Sequence, residues 1–322
     1  MYIVVCAFAS TSAPAMFNRF LGMTARGFVY TLAILIWFNI YMYKAFEKES
    51  WGENIKSVKP AIKNIYYKGN IELLTGNYPR LAIVGSRRMT EYGAKVIEKW
   101  MGELVSAGVV IVSGFMYGVD QKAHKTCMEF GGKTIAILGW GIDLKVAEND
   151  IEMYEKILEK DGLILSEYEG NKQPELWTFP ARDRVMAGVS DAILVVEAAE
   201  KSGSLITAKY AKQYKKKVLA VPGQVTSKVA EGTNWLIKSG EAKLVSSSGD
   251  ILNEMDLSVG QMSLLIDRHS YDPILSLLSD EPKTVDDIGR ILKIKMSDLL
   301  SKLTEMSLLG QVEERNGKYW RV

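Results

Sequence analysis

The strongest constraint in this chain is a series of short, unbroken apolar runs, each stopped by small residues and followed by a helical pattern. Leu81–Val84 ends in Gly85-Ser86-Arg87, Val109–Val112 in Ser113-Gly114, and Thr134–Leu138 in Gly139-Trp140-Gly141. Leu163–Leu165 ends in Ser166-Glu167, Ala192–Val196 precedes Ser202-Gly203-Ser204, and Val218–Val221 is stopped by Pro222-Gly223; Lys243–Val245 is a candidate seventh run. A strand with one face in water alternates apolar and polar side chains, whereas a strand covered on both faces is apolar throughout. Between the runs, Thr90–Ala107 sets Val96, Ile97, Trp100, Met101 and Leu104 at helical spacing. Gly118–Phe130 reads as a second helix closed by Gly131-Gly132, and a third opens at Ser204 and reaches Tyr214. Strands alternating with helices define an α/β fold with a Rossmann-like, doubly wound, mostly parallel sheet. It is assigned to residues 46–255, with the regular alternation starting at Leu81.

The two ends of the chain follow other patterns. Phe28–Tyr43 is a sixteen-residue stretch in which only Thr31 and Asn39 are clearly polar, bracketed by Arg26 and Lys44. As a helix it would span about 24 Å, at the short edge of what a bilayer core requires. Residues 1–45 therefore read as an apolar segment with three competing roles. They are a membrane anchor through residues 28–43, a buried or dimer-forming helix, or translated sequence ahead of the true start. Two cysteines, Cys6 and Cys127, and two histidines, His124 and His269, are too few for a disulfide framework or a Cys/His zinc site. A reducing, cytoplasmic chain is the default, with membrane anchoring as the alternative.

At the other end, Asp272–Leu278 and Thr284–Leu292 read as helices, the second with Thr284 as N-cap and Asp286 and Asp287 in its first turn. Ser297–Met306 is a third helix with Leu299, Leu300 and Leu303 on one face. Gln311–Arg315 and Lys318–Val322 are strands around Asn316-Gly317, a strong hairpin signal. Residues 271–322 thus form a small C-terminal winged helix domain. The polar stretch from Ser246 to Ser270 looks irregular, and residues 256–270 are assigned as linker. The third helix offers only Lys302, with Lys293 and Lys295 in the turn before it, so a protein-binding or auxiliary role is favoured over major-groove reading.

Charge limits what the chain can bind. It has 40 basic and 38 acidic residues, so nothing is held by bulk charge and any nucleic-acid site is a local patch. In an open parallel sheet ligands bind outside the carboxyl ends of the strands. Gly85-Ser86-Arg87, Ser113-Gly114 with Gly118, and Ser202-Gly203-Ser204 all sit there, ahead of helices. Such turns present backbone N–H groups and a helix dipole to an anion. Arg87, Arg88, Arg182 and Arg184 would add charge and bidentate phosphate contacts. No GxGxxG follows the first strand, and no GxxxxGK[ST] or GxSxG occurs, which disfavours dinucleotide binding, a P-loop and an α/β hydrolase.

The blocks GSRRMTEYG, SGFMYGVDQKAH, FPARDRVMAGVSDAILVVEAAEKSGSLITAKYA, VPGQ and EGTNWLI, in this order, resemble those of the DNA-processing protein A family, DprA or Smf. The resemblance implies a single-stranded-DNA-binding protein with an extended Rossmann-like domain. Such proteins protect incoming DNA in natural transformation and help load the RecA recombinase. They commonly form homodimers and have no established enzymatic activity; no cofactor or metal is implied. Carried over by motif, the DNA pocket comprises Gly85, Ser86, Arg87, Ser113, Gly114, Gly118, Arg182, Arg184, Ser202, Gly203 and Ser204.

One departure stands out. The family block reads FPxRNR, and Asp183 replaces its Asn, where a carboxylate between two arginines either pairs with them or orients them. Nor does the N-terminal region show the helix-hairpin-helix or SAM-like module that many members carry. Around the pocket, Asp120 reads as a cap, His124 as a packed or Asp-bonded histidine, Glu167 as a hydrogen-bonder and Cys127 as a packing residue. Lys215–Lys217 reads as a solvated helix end, with a DNA rim as the alternative. Trp177 and Phe179 are either core or base-stacking residues. The alternatives are a Rossmann-type nucleotide phosphoribohydrolase and an adaptor that recruits the recombinase. For the former, Pro222-Gly223 and Glu231-Gly232-Thr233 are separated in sequence, leaving its PGGxGTxxE loop unassembled.

Overall fold

In the computed structural model, which describes residues 42–257, 274, 277–278, 281–292, 294–308, 312–315 and 317–321, all seven apolar runs are strands. The chain begins with a short strand β1 (Lys44–Ala45), helix α1 (Glu53–Lys56), strand β2 (Tyr66–Gly69) and helix α2 (Glu72–Thr75). The alternating part follows: β3 (Arg80–Val84), α3 (Glu91–Ser106), β4 (Val110–Ser113), α4 (Val119–Glu129), β5 (Thr134–Leu138), α5 (Ile151–Glu159) and β6 (Leu163–Ser166). Then come α6 (Thr178–Val189), β7 (Ala192–Val195), α7 (Ser204–Gln213), β8 (Lys217–Ala220), α8 (Glu231–Lys238), β9 (Lys243–Leu244) and α9 (Ser248–Glu254).

The sheet order is β1-β2-β6-β5-β4-β3-β7-β8-β9. The strands from β3 to β9 pair in parallel, and β1 and β2 add an antiparallel edge on β6. From β3 the chain winds outward to β6, then returns to the far side of β3 and winds the other way through β7 to β9. The switch point therefore lies between β3 and β7, where Leu81 pairs with Ala192 and Val84 with Val195. Connections diverge there, and the carboxyl ends of β3 and β7 open a crevice.

Alternate residues of each run feed two separate cores, which explains why the runs are apolar without a break. Ala82, Val84, Val110, Val112, Ile193 and Val195 pack on one face with Val185 and Met186 of α6 and Ala208 of α7. Leu81, Ile83, Ile111 and Leu194 pack on the other with Trp100, Met101 and Leu104 of α3, Ala123 and Cys127 of α4, and Ile251 and Leu252 of α9. Cys127 is wholly buried, and that burial pushes its thiol up to about 12, so it is a packing residue.

Two stretches depart from the sequence reading. The polar segment from Ser246 is not irregular. Ser247 accepts a hydrogen bond from Asp250 N and Asp250 reciprocates in a capping box, which starts α9 and buries Ile251 and Leu252. Polar composition hid a helix whose start is held by polar side chains. The Lys215–Lys217 run is likewise more than a solvated end: Lys216 Nζ donates to Asn54 Oδ1, and Lys217 opens β8.

The C-terminal module has α10 (Val285–Leu292), α11 (Met296–Leu308) and a hairpin of β10 (Val312–Arg315) and β11 (Lys318–Arg321), with Gly317 at φ 73° in the turn. Lys283 and Tyr319 exchange backbone hydrogen bonds, tying the wing to the start of the helices. Thr284 caps α10 through Asp287 N, 3.2 Å away. Of the three leucines placed on one face, Leu299 and Leu303 are buried and Leu300 is exposed, because it stands about 100° around the helix from Leu299. Apart from Met42 and Tyr43, the apolar segment 28–43 lies outside the described residues, as does the linker from residue 258. Among the described residues no helix is long and apolar enough to cross a membrane.

Candidate nucleic-acid interface

The loops at the switch point are held by contacts that only their small residues permit. Gly118 has φ +82°, and a Cβ there would lie 2.3 Å from Ser86 O, so the loop after β4 can approach the loop after β3 only without a side chain. Val119 N, at the start of α4, donates to Ser86 O at 3.2 Å, and Ser86 N donates to Glu197 O at 2.8 Å. The Ser86 hydroxyl accepts from Arg88 N at 3.0 Å, which closes the turn. Ser113 is fully buried and donates to Ile83 O at 2.7 Å, bracing β4 against β3. After β7, the Ser202 and Ser204 hydroxyls are 2.8 Å apart at the start of α7, around exposed Gly203.

The arginines divide into two kinds. Arg182 and Arg184, carried over as phosphate ligands, are buried on α6 at 5% and 7% exposure. Arg182 Nη1 donates to Ile137 O at 3.0 Å, its Nε lies 3.0 Å from Asp183 Oδ1, and Asp120 Oδ2 is 4.0 Å from Nη1. Its guanidinium fills the place of a side chain at Gly114, where a Cβ would fall 1.6 Å from Nη1. Arg184 makes a two-pronged pair with Glu167, at 3.0 and 2.7 Å. Both cations are engaged by internal carboxylates. The Asp that replaces the family Asn pairs with Arg182 and not with Arg184.

Arg87 and Arg88 are exposed. The Arg87 guanidinium lies over the Phe179 ring, 5.3 Å from its centroid, a cation–π contact that holds the side chain across the crevice. Phe179 is half-buried and Trp177 is 54% exposed, so neither is core. Both stand at the start of α6, beside the carboxyl end of β5.

Glu197 is a residue the sequence reading missed. It is buried just after β7, and it accepts from Thr90 N at 2.8 Å and from the Thr90 hydroxyl, fixing the start of α3 beside Arg87. Its only signal is an acid directly following a buried strand. Pro222-Gly223 and the Glu231–Thr233 segment do meet in space, through Asn234, whose side chain bonds both Gly223 N and Gly223 O. Gly232 N donates to Ala198 O and Thr233 Oγ1 to Ala230 O, so these groups close the strand ends onto α8.

Burial sets the titration of the groups under the crevice. Desolvation raises Asp120 to about 6, against the opposing pull of Arg182. Desolvation raises Asp183 and Glu167 as well, each opposed by its arginine. His124 is depressed to about 3, first by burial and then by the charge of Arg182. Its partner is Thr134 and not Asp120. Thr134 Oγ1 donates to Ile111 O at 2.8 Å, so the neutral imidazole donates its Nδ1 proton to that hydroxyl across 2.6 Å.

A Rossmann-like α/β domain, with one exposed guanidinium laid over an aromatic at its switch point, and a separate winged helix define the class. The chain belongs to the DNA recombination-mediator protein A family, which it matches over residues 42–256, and it matches the DprA winged helix domain over residues 267–318. It is 33% identical to protein Smf of Synechocystis over 291 residues, 79% of this chain and 73% of that protein. It is 41% identical to the DNA processing protein DprA of Streptococcus pneumoniae over 192 residues, 60% of this chain and 66% of that one. The solved structure of the S. pneumoniae protein overlays with a TM-score of 0.62 at 34% identity, covering 76% of this chain and 83% of that one. DNA processing protein A of Helicobacter pylori, whose structure addresses its single-stranded-DNA binding mode, overlays with a TM-score of 0.62 at 30% identity, covering 68% and 98%.

Two outcomes test this assignment of roles. Removing one partner of a buried ion pair costs about 3–5 kcal/mol, while replacing both by apolar groups is near neutral. Arg184→Met is expected to lower stability in urea by about 3 kcal/mol, and the double variant Arg184→Met/Glu167→Leu to recover most of it. For His124, a pKa depressed from 6.5 to about 3 means stability present above pH 6.5 and lost as pH falls toward 3. Asp120, raised from 3.8 to about 6, acts oppositely: its contribution is full below 3.8 and fades as pH rises through 6. The comparison of wild type with His124→Gln isolates the histidine. The stability difference is expected to move in the variant's favour by about 2 kcal/mol between pH 6.5 and 4.5, as the unfolded histidine goes from half to fully protonated.

Proposed function

We propose that this protein binds single-stranded DNA across the carboxyl ends of its parallel strands, and that Arg87 is the principal phosphate contact. The carrying observation is the contrast among the arginines: Arg182 and Arg184 are buried and internally paired, whereas Arg87 is exposed over Phe179. The Ser86 turn and the Ser202–Gly203–Ser204 turn flank the switch point and offer hydroxyl and backbone donors. The half-buried Phe179 ring suits an unpaired base, which any sequence supplies. Gly85, Ser113, Gly114 and Gly118 act in this reading by shaping the loops, and Arg182 and Arg184 by bracing α6 under them. Family membership and the H. pylori relative's single-stranded-DNA binding support the same ligand.

Within that reading the protein protects incoming single strands and helps load the RecA recombinase on them during natural transformation, acting as a homodimer. The reaction is binding and handover, without a catalytic group. The test is binding to oligo-dT over a range of salt. Each phosphate lost from a single-stranded site lowers the slope of log K against log salt by about 0.7. Arg87→Ala is expected to weaken binding by at least tenfold and to reduce the slope by about that amount. Binding equal to wild type, with the same slope, overturns the assignment.

A further inference from the structure

Beyond Phe179 the same edge of the sheet carries an aromatic group that is held in place yet open to solvent. Trp177 precedes α6 and is 54% exposed. Its indole Nε1 donates to Glu175 Oε2 at 2.7 Å, which fixes the ring's rotation. Tyr168 meets it edge to face, with centroids 5.8 Å apart and planes at 85°. The Lys172 ammonium lies 5.1 Å from the indole centroid and 5.6 Å from that of Tyr168, and is itself paired with Glu175 at 2.6 Å. The loop bearing these groups is tied to the connection after β5 by three backbone bonds. Gly141 N donates to Lys172 O, Ile142 N to Tyr168 O, and Asp143 N to Gly170 O, at 2.8–3.0 Å. An indole anchored at its nitrogen, one edge and one face, with more than half its surface still in water, is pre-organised for a flat partner and loses little freedom on binding one.

We propose that Trp177, backed by Tyr168 and Lys172, is a second base-stacking position for the strand whose phosphates meet Arg87. The proposal rests on the single-stranded-DNA reading and extends it along the sheet. Arg87 follows β3, Phe179 packs beside Gly139 at the end of β5, and Tyr168 follows β6. From β3 to β6 is three strand spacings, about 14 Å. That is about four nucleotides at the 3.4 Å duplex spacing and fewer for an extended strand. The Lys172–Glu175 pair leaves the local charge balanced, so the position contributes stacking rather than phosphate attraction. The ligand is therefore an unpaired base of any sequence, on a strand long enough to span both positions.

The test compares full-length wild type, Trp177→Ala, Trp177→Phe and Arg87→Ala for binding to dT12, dT2 and a 12-residue abasic strand. Trp177→Ala is expected to bind dT12 about tenfold more weakly, with Trp177→Phe close to wild type. Wild type and Trp177→Ala are expected to bind dT2 and the abasic strand alike, because neither probe places a base at the indole. Rescue by Phe and the loss confined to base-bearing long strands separate stacking from a structural role. If Arg87→Ala weakens dT12 binding and Trp177→Ala does not, the second position is overturned and the single-stranded-DNA reading stands. If neither variant weakens binding, both fail. Equal loss on dT12 and on the abasic strand overturns stacking as the role of Trp177.

Discussion

The crevice depends on one buried cation. Arg182 lies under the loops at the switch point, donates to the Ile137 carbonyl at the end of β5, contacts Asp183 on its own helix and faces Asp120 at the start of α4. It thereby joins three elements that lie far apart in the sequence. A buried guanidinium is costly unless its charge and its N–H groups are matched. Two carboxylates match the charge and a main-chain oxygen takes one N–H, while Nε lies against Asp183 without a well-directed hydrogen bond. Gly114 is the price of this arrangement, since any side chain there would occupy the space of Nη1. His124 is depressed first by its burial, and the charge of Arg182 adds to that, because a second cation beside it in a dry interior is unfavourable.

This arrangement reconciles a chain of nearly balanced charge with an anionic ligand. The acids around the crevice, Asp120, Asp183, Glu167 and Glu197, are engaged with Arg182, Arg184 and the start of α3, and so do not face the opening as free carboxylates. The exposed arginines here are Arg87, held over Phe179, and Arg88 beside it. The interior charge pairs position loops, and the surface charge meets the ligand. Electrostatic attraction in such a site is local and modest, and stacking on Phe179 and Trp177 supplies the remainder of the affinity in the proposed reading.

The parallel strands were legible because both of their faces are covered, which makes each run apolar residue by residue, as Leu81 to Val84 shows. The winged helix was legible from caps and the Asn316-Gly317 turn, which are local signals. β1 and β2 were not, because they are short strands near the edge of the sheet whose residues are exposed or half-buried and carry no clear alternation. α9 was hidden by its own capping residues. The fate of the arginines was the least legible feature of the site. Arg182-Asp183-Arg184 reads as a basic patch along the chain. Whether such a patch faces water is set by Ile137, Asp120 and Glu167, which lie 17 to 62 positions away and approach only when the sheet forms. Glu197 was missed for the same reason, since its partner Thr90 is 107 residues distant.

The most direct measurement is a crystal structure of the full chain with bound dT6. The account predicts a phosphate within hydrogen-bond distance of the Arg87 guanidinium, with Arg182 still on the Ile137 carbonyl and Asp183, and Arg184 still on Glu167. A phosphate seated on Arg182 or Arg184, with their carboxylates displaced, would contradict it, as would DNA bound away from the carboxyl ends of β3 and β7.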